Sequence, residues 1–447
     1  MSSLPPLSTK PDVTLSLNFS PSSTTSFSSP DDHDQLQTTS SSSSLTMPEE
    51  RGIVLIQLLL NCAKHAASGN LRHADSCLSQ ISQLASVNGD SMQRLSARFA
   101  SALAVSLVKR WPGLHKALNR TQRPKLELGP AQLASPSSSP AAFPCLGFAY
   151  AIIARTLVHS VSHEGAIHFV DFGSCDSRLW VPIFRSLASE PRGHGPPLSL
   201  SFTCVHGDKA VLDKLGLGLT KEAESLGLSF QYNALHVSLG ELTTEVIKTR
   251  PEEALAIVSI LSLHVLLAED DRVDAKFGAR KNKGIKECKQ MSRFLAMVKS
   301  MSPKVVLLVE QEADHNLNRL VDRFLGSLHY YSAVFDSLDA NFGASSSSSD
   351  HQERLAFEEM YGREIENIVA CEGLERVERH ERYEKWMARF GRAGFRPIRM
   401  WFDPTEDAKK MLEVCGSEGY KVVNNKASFV LCWHKRPLYA VSAWICQ

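Results

Sequence analysis

The 447-residue chain has 10 cysteines, at positions 62, 77, 145, 175, 204, 288, 371, 415, 432 and 446, and none forms a CxxC pair. Neither a zinc ribbon nor a redox pair is therefore written locally. A GxSxG elbow, an HExxH pair, a GxxxxGKS/T loop and an EF-hand loop are also missing, which removes the readily named hydrolase, metalloprotease, nucleotidase and calcium-binding readings. Charge of one sign is lacking too: 49 Lys and Arg face 48 Asp and Glu, so any polyanion contact has to come from a local patch. The longest apolar run, Ile53 to Leu60, is interrupted by Gln57 and falls far short of the roughly 20 residues a bilayer needs. No membrane span is expected. The start, Met1-Ser-Ser-Leu-Pro-Pro, has no basic and then apolar leader, so no secretory signal is expected and the thiols are read as reduced and intracellular.

What is present is enough apolar side chain for a large core, 43% of the chain against 22% charged. It is unevenly spread. Residues 1–50 are dominated by Ser, Thr and Pro and end in the serine tract 40–44, a composition expected to stay disordered. From Ile53 the texture changes: Leu55, Leu58, Leu59, Cys62 and Ala66, then Leu71, Ala74, Leu78 and Ile81, recur at three- and four-residue steps. That period predicts two amphipathic helices divided at Gly69, and 92–109 predicts a third. Such leucine faces serve intramolecular packing or a partner seam, and the two uses are compatible. Leu55, Leu58, Leu59 and Cys62 are the partner-binding candidates.

After a Pro/Ser segment at 130–144 and a helix at 148–161, short apolar runs alternate with helices. Strands are expected at 167–172, 198–205, 229–235, 256–263, 304–310 and 395–400, with helices such as 209–226 and 285–301 between them. Near-continuous Val/Ile/Leu strands separated by helices predict a mainly parallel sheet covered on both faces. Three closing strands, 420–424, 427–434 and 437–444, predict a C-terminal antiparallel hairpin appended to that sheet. The expected fold is α/β, Rossmann-like and methyltransferase-like, with an N-terminal helical cap. Its organisation is a tail at 1–50, a cap at 51–160 and an α/β core at 161–447. The serine run 345–349 is read as a loop.

In such sheets ligands bind beyond the carboxyl ends of the strands. Those ends hold Asp171, His206 with Asp208, His264, and Glu310 with Glu312, Asp314 and His315. Together they could grip a small polar ligand or a metal, or they could simply be solvated and capping. The turn after the first strand, Asp171 to Trp180, carries one glycine, Gly173, where a nucleotide site wants several. A pocket edge of Asp171, Gly173, Asp208 and Glu310 is thus a candidate, while no cofactor, no metal and no catalytic residue is expected. Two basic stretches could contact phosphate: 276–286, with five cations and no acid, and the region from Arg376 to Arg399, which opens with alternating charge and reads first as ion-paired.

These segments, taken in order, resemble the GRAS family of plant transcriptional regulators over roughly residues 53–447. Leu55 to Trp111 is similar to its first leucine-rich region. Ile167-His168-Phe-Val-Asp171-Phe stands where the VHIID signature belongs, with Phe169 and Val170 as departures. Leu261 to Val309 resembles the second leucine-rich region. Tyr330 to Asp336 and Arg376-Val-Glu378-Arg379-His380-Glu381 fall in the PFYRE part. Trp433, and the ending Ser442-Ala443-Trp444, resemble the SAW motif. Within the family, Trp111 to Asn119 and Arg436 to Trp444 look most like the scarecrow-like protein 3 branch. The resemblance implies a non-enzymatic nuclear regulator in gibberellin response or root development. Its implied partners are other GRAS proteins including DELLA-type repressors, and DNA-binding transcription factors, through homo- or heterodimers, with indirect or weak DNA contact and no membrane. Rival readings are a methyltransferase-like small-molecule binder or enzyme, and a direct DNA-binding factor.

Overall fold

The computed structural model describes residues 48–111, 144–191, 198–268, 288–342, 348–403 and 418–447, with 113, 116 and 407 besides. The serine-rich tail, the segment 130–143, the basic stretch 276–286 and most of the stretch after Trp111 lie outside the described residues.

Helix α1 (Pro48–Ser68) opens with proline in its first turn, where a missing N–H costs nothing, followed by Glu49 and Glu50, which suit the positive helix end. It closes at Gly69, φ 77°. There Asn70 N donates to His65 O at 2.9 Å and Gly69 N to Ala66 O at 3.2 Å, a Schellman closure that allows the chain to turn into α2 (Leu71–Leu84). Asp90 and Gln93 form a reciprocal capping box on α3 (Ser91–Val108). Two helices from much later in the chain, α9 (Leu320–Phe342) and α10 (Ser348–Ala370), pack against α3 and complete the cap. A buried Arg94 joins them: its Nε donates to Glu358 Oε1 at 2.8 Å and its Nη2 pairs with Asp339. Helix α4 (Pro144–Val161), expected in the cap, instead packs on the sheet domain against α5 (Ser177–Ser189) and the strands Val305–Gln311 and Arg436–Cys446.

The parallel strands are β1 (Ala166–Phe172), β2 (Ser199–Val205), β3 (Ser229–Leu235), β4 (Ala254–Ile260) and β5 (Val305–Gln311). The later ones are β6 (Phe395–Ile398), β7 (Tyr420–Asn425), β8 (Ser428–Trp433) and β9 (Arg436–Cys446). The spatial order is β3-β2-β1-β4-β5-β9-β8-β7, with β6 also on β9. Around β1 the register sets Ile167 between Leu200 and Ala254, so both edges of the strand are paired, and Ile167 to Phe172 are buried, as in a sheet covered on both faces. The closing strands bear out the expected topology in one respect and correct it in another. As expected, the antiparallel strands β9, β8 and β7 are appended to the parallel sheet, β9 lying beside β5 with Leu308 opposite Ser442. Strand β6, expected among the parallel ones, pairs antiparallel with β9. The remaining helices, α6 (Lys209–Ser225), the short α7 (Thr244–Ile247), α8 (Lys289–Ser300) and α11 (Tyr383–Arg392), connect the strands. No helix among the described residues is long and apolar enough to cross a membrane.

Candidate functional site

The end of β1 is closed by its own sequence. Asp171 is fully buried, and its carboxylate accepts from Ser174 N (2.9 Å), Cys175 N (3.0 Å), the Ser174 hydroxyl and Trp180 Nε1 (2.8 Å). Burial raises the Asp171 pKa against these four donors. The donors come from three to nine residues downstream, so the carboxylate ties the loop to the first turn of α5 and holds Cys175 at φ 45°, a conformation L residues rarely adopt. Cys175 Sγ then lies 2.6 Å from Cys204 Sγ, and both are free thiols. Gly173 takes φ 93°, and a Cβ there would sit 3.0 Å from Ser262 Cβ. This glycine is needed for close approach of the β1 and β4 loops.

Beside that loop a cleft of about 290 Å³ is lined by Tyr150, Gly173, His206, Leu239, Leu261 and Val265 among others, without a carboxylate. Doubly wound folds that bind a nucleoside cofactor hold its ribose with an acidic side chain after the second strand. Here that position is His206. The nearby Asp208 is exposed and caps α6, its Oδ1 accepting from Ala210 N at 2.8 Å. The Ser262 hydroxyl is also spent, on Phe172 O. The residues present do not fit an S-adenosylmethionine-type cofactor. The expected pocket edge is therefore corrected: Asp171 and Glu310 are internal, Asp208 is a cap, and only Gly173 lines the cleft.

Glu310 belongs to a second, buried polar centre where β4 and β5 end. The 3-10 turn Leu263–Leu267 follows β4 and sets its first two amides on the Glu310 carboxylate, from Leu263 N at 2.9 Å and His264 N at 3.2 Å. The His264 ring bridges two carboxylates, with Nδ1 2.9 Å from Glu310 Oε2 and Nε2 3.1 Å from Glu378 Oε2. Burial opposes charge on His264, and the Glu310 and Glu378 carboxylates overcome it, holding its pKa well above the ordinary histidine value. Burial likewise opposes charge on Glu378, and the hydrogen bond from His264 outweighs it, holding Glu378 well below the usual carboxylate range. His380 Nε2 approaches the same Glu378 oxygen at 3.2 Å, and His380 Nδ1 is 2.9 Å from His315 Nδ1. Burial first, then the neighbouring imidazole, depresses the pKa of both His380 and His315. Tyr331 and Glu364, which composition gave no reason to single out, extend the network: the Tyr331 hydroxyl donates to Glu364 Oε2 at 2.7 Å and Gln311 Nε2 to the same oxygen at 2.9 Å.

The GRAS domain family model matches residues 55–445. The chain belongs to the GRAS family. It is 35% identical to scarecrow-like protein 3 of Arabidopsis thaliana over 90% of each chain. It is 32% identical to the DELLA protein GAI1 of Vitis vinifera, over 89% of this chain and 62% of that one. The crystal structure of SCL7 from Oryza sativa is similar with TM-score 0.68 and 28% identity, covering 87% of this chain and 99% of that one.

In this GRAS domain the motif residues are mostly internal. Ile167 is core, and the buried His168 places Nε2 2.8 Å from Thr203 Oγ1. Arg376 donates to His315 O, and Arg379 to Arg376 O, Asn316 Oδ1 and Gly373 O, each at 2.8–3.0 Å. Arg389 pairs with Glu381 at 2.7 Å. These cations are buried, so the phosphate-contact reading of this region is corrected for them: they fasten a loop. Trp433 Nε1 donates to Asp336 Oδ2 at 2.7 Å, linking the SAW end to the PFYRE part. Ser442, Ala443 and Trp444 are buried, and the Trp444 ring stacks on Phe390 with centroids 4.7 Å apart. Of the partner-binding candidates, Leu55, Leu59 and Cys62 are fully buried in the cap core and Leu58 is half-buried. The apolar side chains that α1 does expose are Ile53 (56%) and Val54 (40%).

Proposed function

We propose that this GRAS protein is a non-enzymatic transcriptional co-regulator that works in the nucleus through protein partners, in plant growth and gibberellin signalling. The observation that supports the non-enzymatic part is the enclosure of Asp171: the one acid at the end of β1 is fully buried and accepts four hydrogen bonds from its own loop, which leaves it turned away from any ligand. Similarity to scarecrow-like protein 3 and to DELLA proteins supports the regulatory role. Other GRAS proteins, DELLA-type repressors and DNA-binding transcription factors are the proposed partners. Calorimetric titration of S-adenosylmethionine into the full chain tests the reading. No heat is expected; micromolar binding, about −8 kcal/mol, would replace it with an enzyme.

A second reading, an apolar small-molecule site, is favoured by the cleft itself, whose walls Leu239, Leu261 and Val265 suit a hydrophobic ligand. Direct DNA binding loses its support from Arg376, Arg379 and Arg389. If it operates it predicts a log-log salt slope of about −0.9 per phosphate contacted, and a flat response disposes of it.

A further inference from the structure

We propose that His264, Glu378 and His380 form a binding site for one divalent transition-metal ion, zinc being the ion that suits the donor set. Their ligand atoms, two imidazole nitrogens and one carboxylate oxygen, all lie within 4.8 Å of one another. Ligands on a tetrahedral zinc at about 2.0–2.1 Å stand roughly 3.3 Å apart. Glu378 Oε2 is 3.1 Å from His264 Nε2 and 3.2 Å from His380 Nε2, so two of the three spacings match those of ligands on one ion, and the third, between the imidazoles, is within 4.8 Å.

Three further observations separate this arrangement from an ordinary buried ion pair. His380 is 0% exposed, and its Nε2 has no well-formed hydrogen bond, its one near neighbour being Glu378 Oε2 at 3.2 Å. A fully buried imidazole nitrogen without a partner is costly and asks for one. Each ligating ring is also held by its other nitrogen: His264 Nδ1 by Glu310 Oε2 and His380 Nδ1 by His315 Nδ1, both at 2.9 Å. Metal-bound histidines are oriented and made more basic by this kind of support. Finally, an ion on His264 Nε2 displaces to solvent the proton that nitrogen shares with Glu378, the carboxylates Glu310 and Glu378 then balance its two charges, and the Glu378 side chain, 20% exposed, opens the site to solvent. Two histidines and a glutamate leave a fourth position for water. An ion there would pin the loop carrying Arg376–Glu381 to the ends of β4 and β5. This departs from the sequence-based expectation of no metal.

The test uses the full chain, stripped with a chelator, dialysed and reloaded with zinc chloride or cobalt(II) chloride. One zinc per chain is expected by elemental analysis. The cobalt form is expected to show visible bands of a nitrogen- and oxygen-ligated ion, without thiolate charge transfer. Glu310→Gln, which leaves the three ligands in place, is expected to weaken zinc binding about 10–100-fold, and His380→Gln to abolish it. No retained zinc in the parent protein overturns the proposal, as does a thiolate band or a stoichiometry that His380→Gln leaves unchanged. The cobalt spectrum of the parent protein decides even where a variant fails to fold.

Discussion

Asp171 and Glu310 are both buried carboxylates at the carboxyl ends of parallel strands, and they are satisfied in opposite ways. All the donors to Asp171 come from the next nine residues, so its bonds form as soon as the loop does. Glu310 is held by a segment 46 residues earlier, and through His264 by Glu378, 114 residues after that histidine. A local knot stabilises one turn, whereas the distributed centre cross-links β4, β5 and the loop before α11. The first lesson is energetic. Removing one partner of a buried ion pair strands the other charge, and Glu310→Ala should destabilise by about 3–5 kcal/mol, read as a lowered urea midpoint. A cost under about 1 kcal/mol would mean that the centre is wetter and looser than its distances say.

Asp171→Asn should cost less, about 1–3 kcal/mol, because the amide oxygen can keep the three donors that share Oδ2 while its NH2 group faces Ser174 N–H, which loses its acceptor. The sharper readout is local: loss of the Ser174 N–H bond loosens the loop between β1 and α5, so amide exchange there should quicken while the cap stays protected. Faster exchange throughout the chain would break the contrast, showing that this knot too is coupled to the whole fold.

The same contrast explains what was legible in the sequence. Helix period, Gly69 and the apolar strand runs are local signals, and the cap hairpin and all nine strands stand close to where those signals put them. Strand order is not local. Nothing near Ser442 says that its neighbour is Leu308, so the appended hairpin was expected but the strand it joins was not, nor was the recruitment of α9 and α10 to the cap. The buried centre was half legible. His264, Glu310, Glu378 and His380 stood out as residues, but their meeting depends on the register of β4 against β5, with Ser259 opposite Leu308. Asp171 misled for the complementary reason: position at a strand end was read as exposure, when the donors that consume it were written immediately after it.

Glu364 offers a smaller, pH-dependent way to sharpen the comparison. Burial, aided by the charge of Glu378, pushes its pKa from 4.5 up to about 7. Between those values the folded protein keeps a proton that the unfolded chain has released, so stability falls as pH rises through that window. Both hydrogen bonds to this side chain use a single oxygen, from Gln311 Nε2 and the Tyr331 hydroxyl, and an amide oxygen can accept both. Glu364→Gln should therefore fold, flatten the decline and gain on the order of 1 kcal/mol over the parent by about pH 8. Parallel pH curves for the two proteins would show that Glu364 titrates near its ordinary value.

The smallest effect on stability is expected where the leucine-rich helix faces outward. Ile53 and Val54 share α1 with Leu55 and Leu59 but are exposed, while the latter two are buried between α1, α2 and α3. Helical period shows that a face exists; which residues of the run the distant α9 covers depends on long-range packing, as it does for Glu310. Ile53→Asp should shift stability by less than about 0.5 kcal/mol, whereas Leu55→Asp buries an unpaired carboxylate and unfolds the cap. If partner association runs through this helix, Ile53→Asp weakens co-precipitation of a second GRAS protein while circular dichroism is unchanged. Full co-precipitation by the folded Ile53→Asp variant would mean that the leucine-rich region contributes a core and that the partner surface lies elsewhere on the domain.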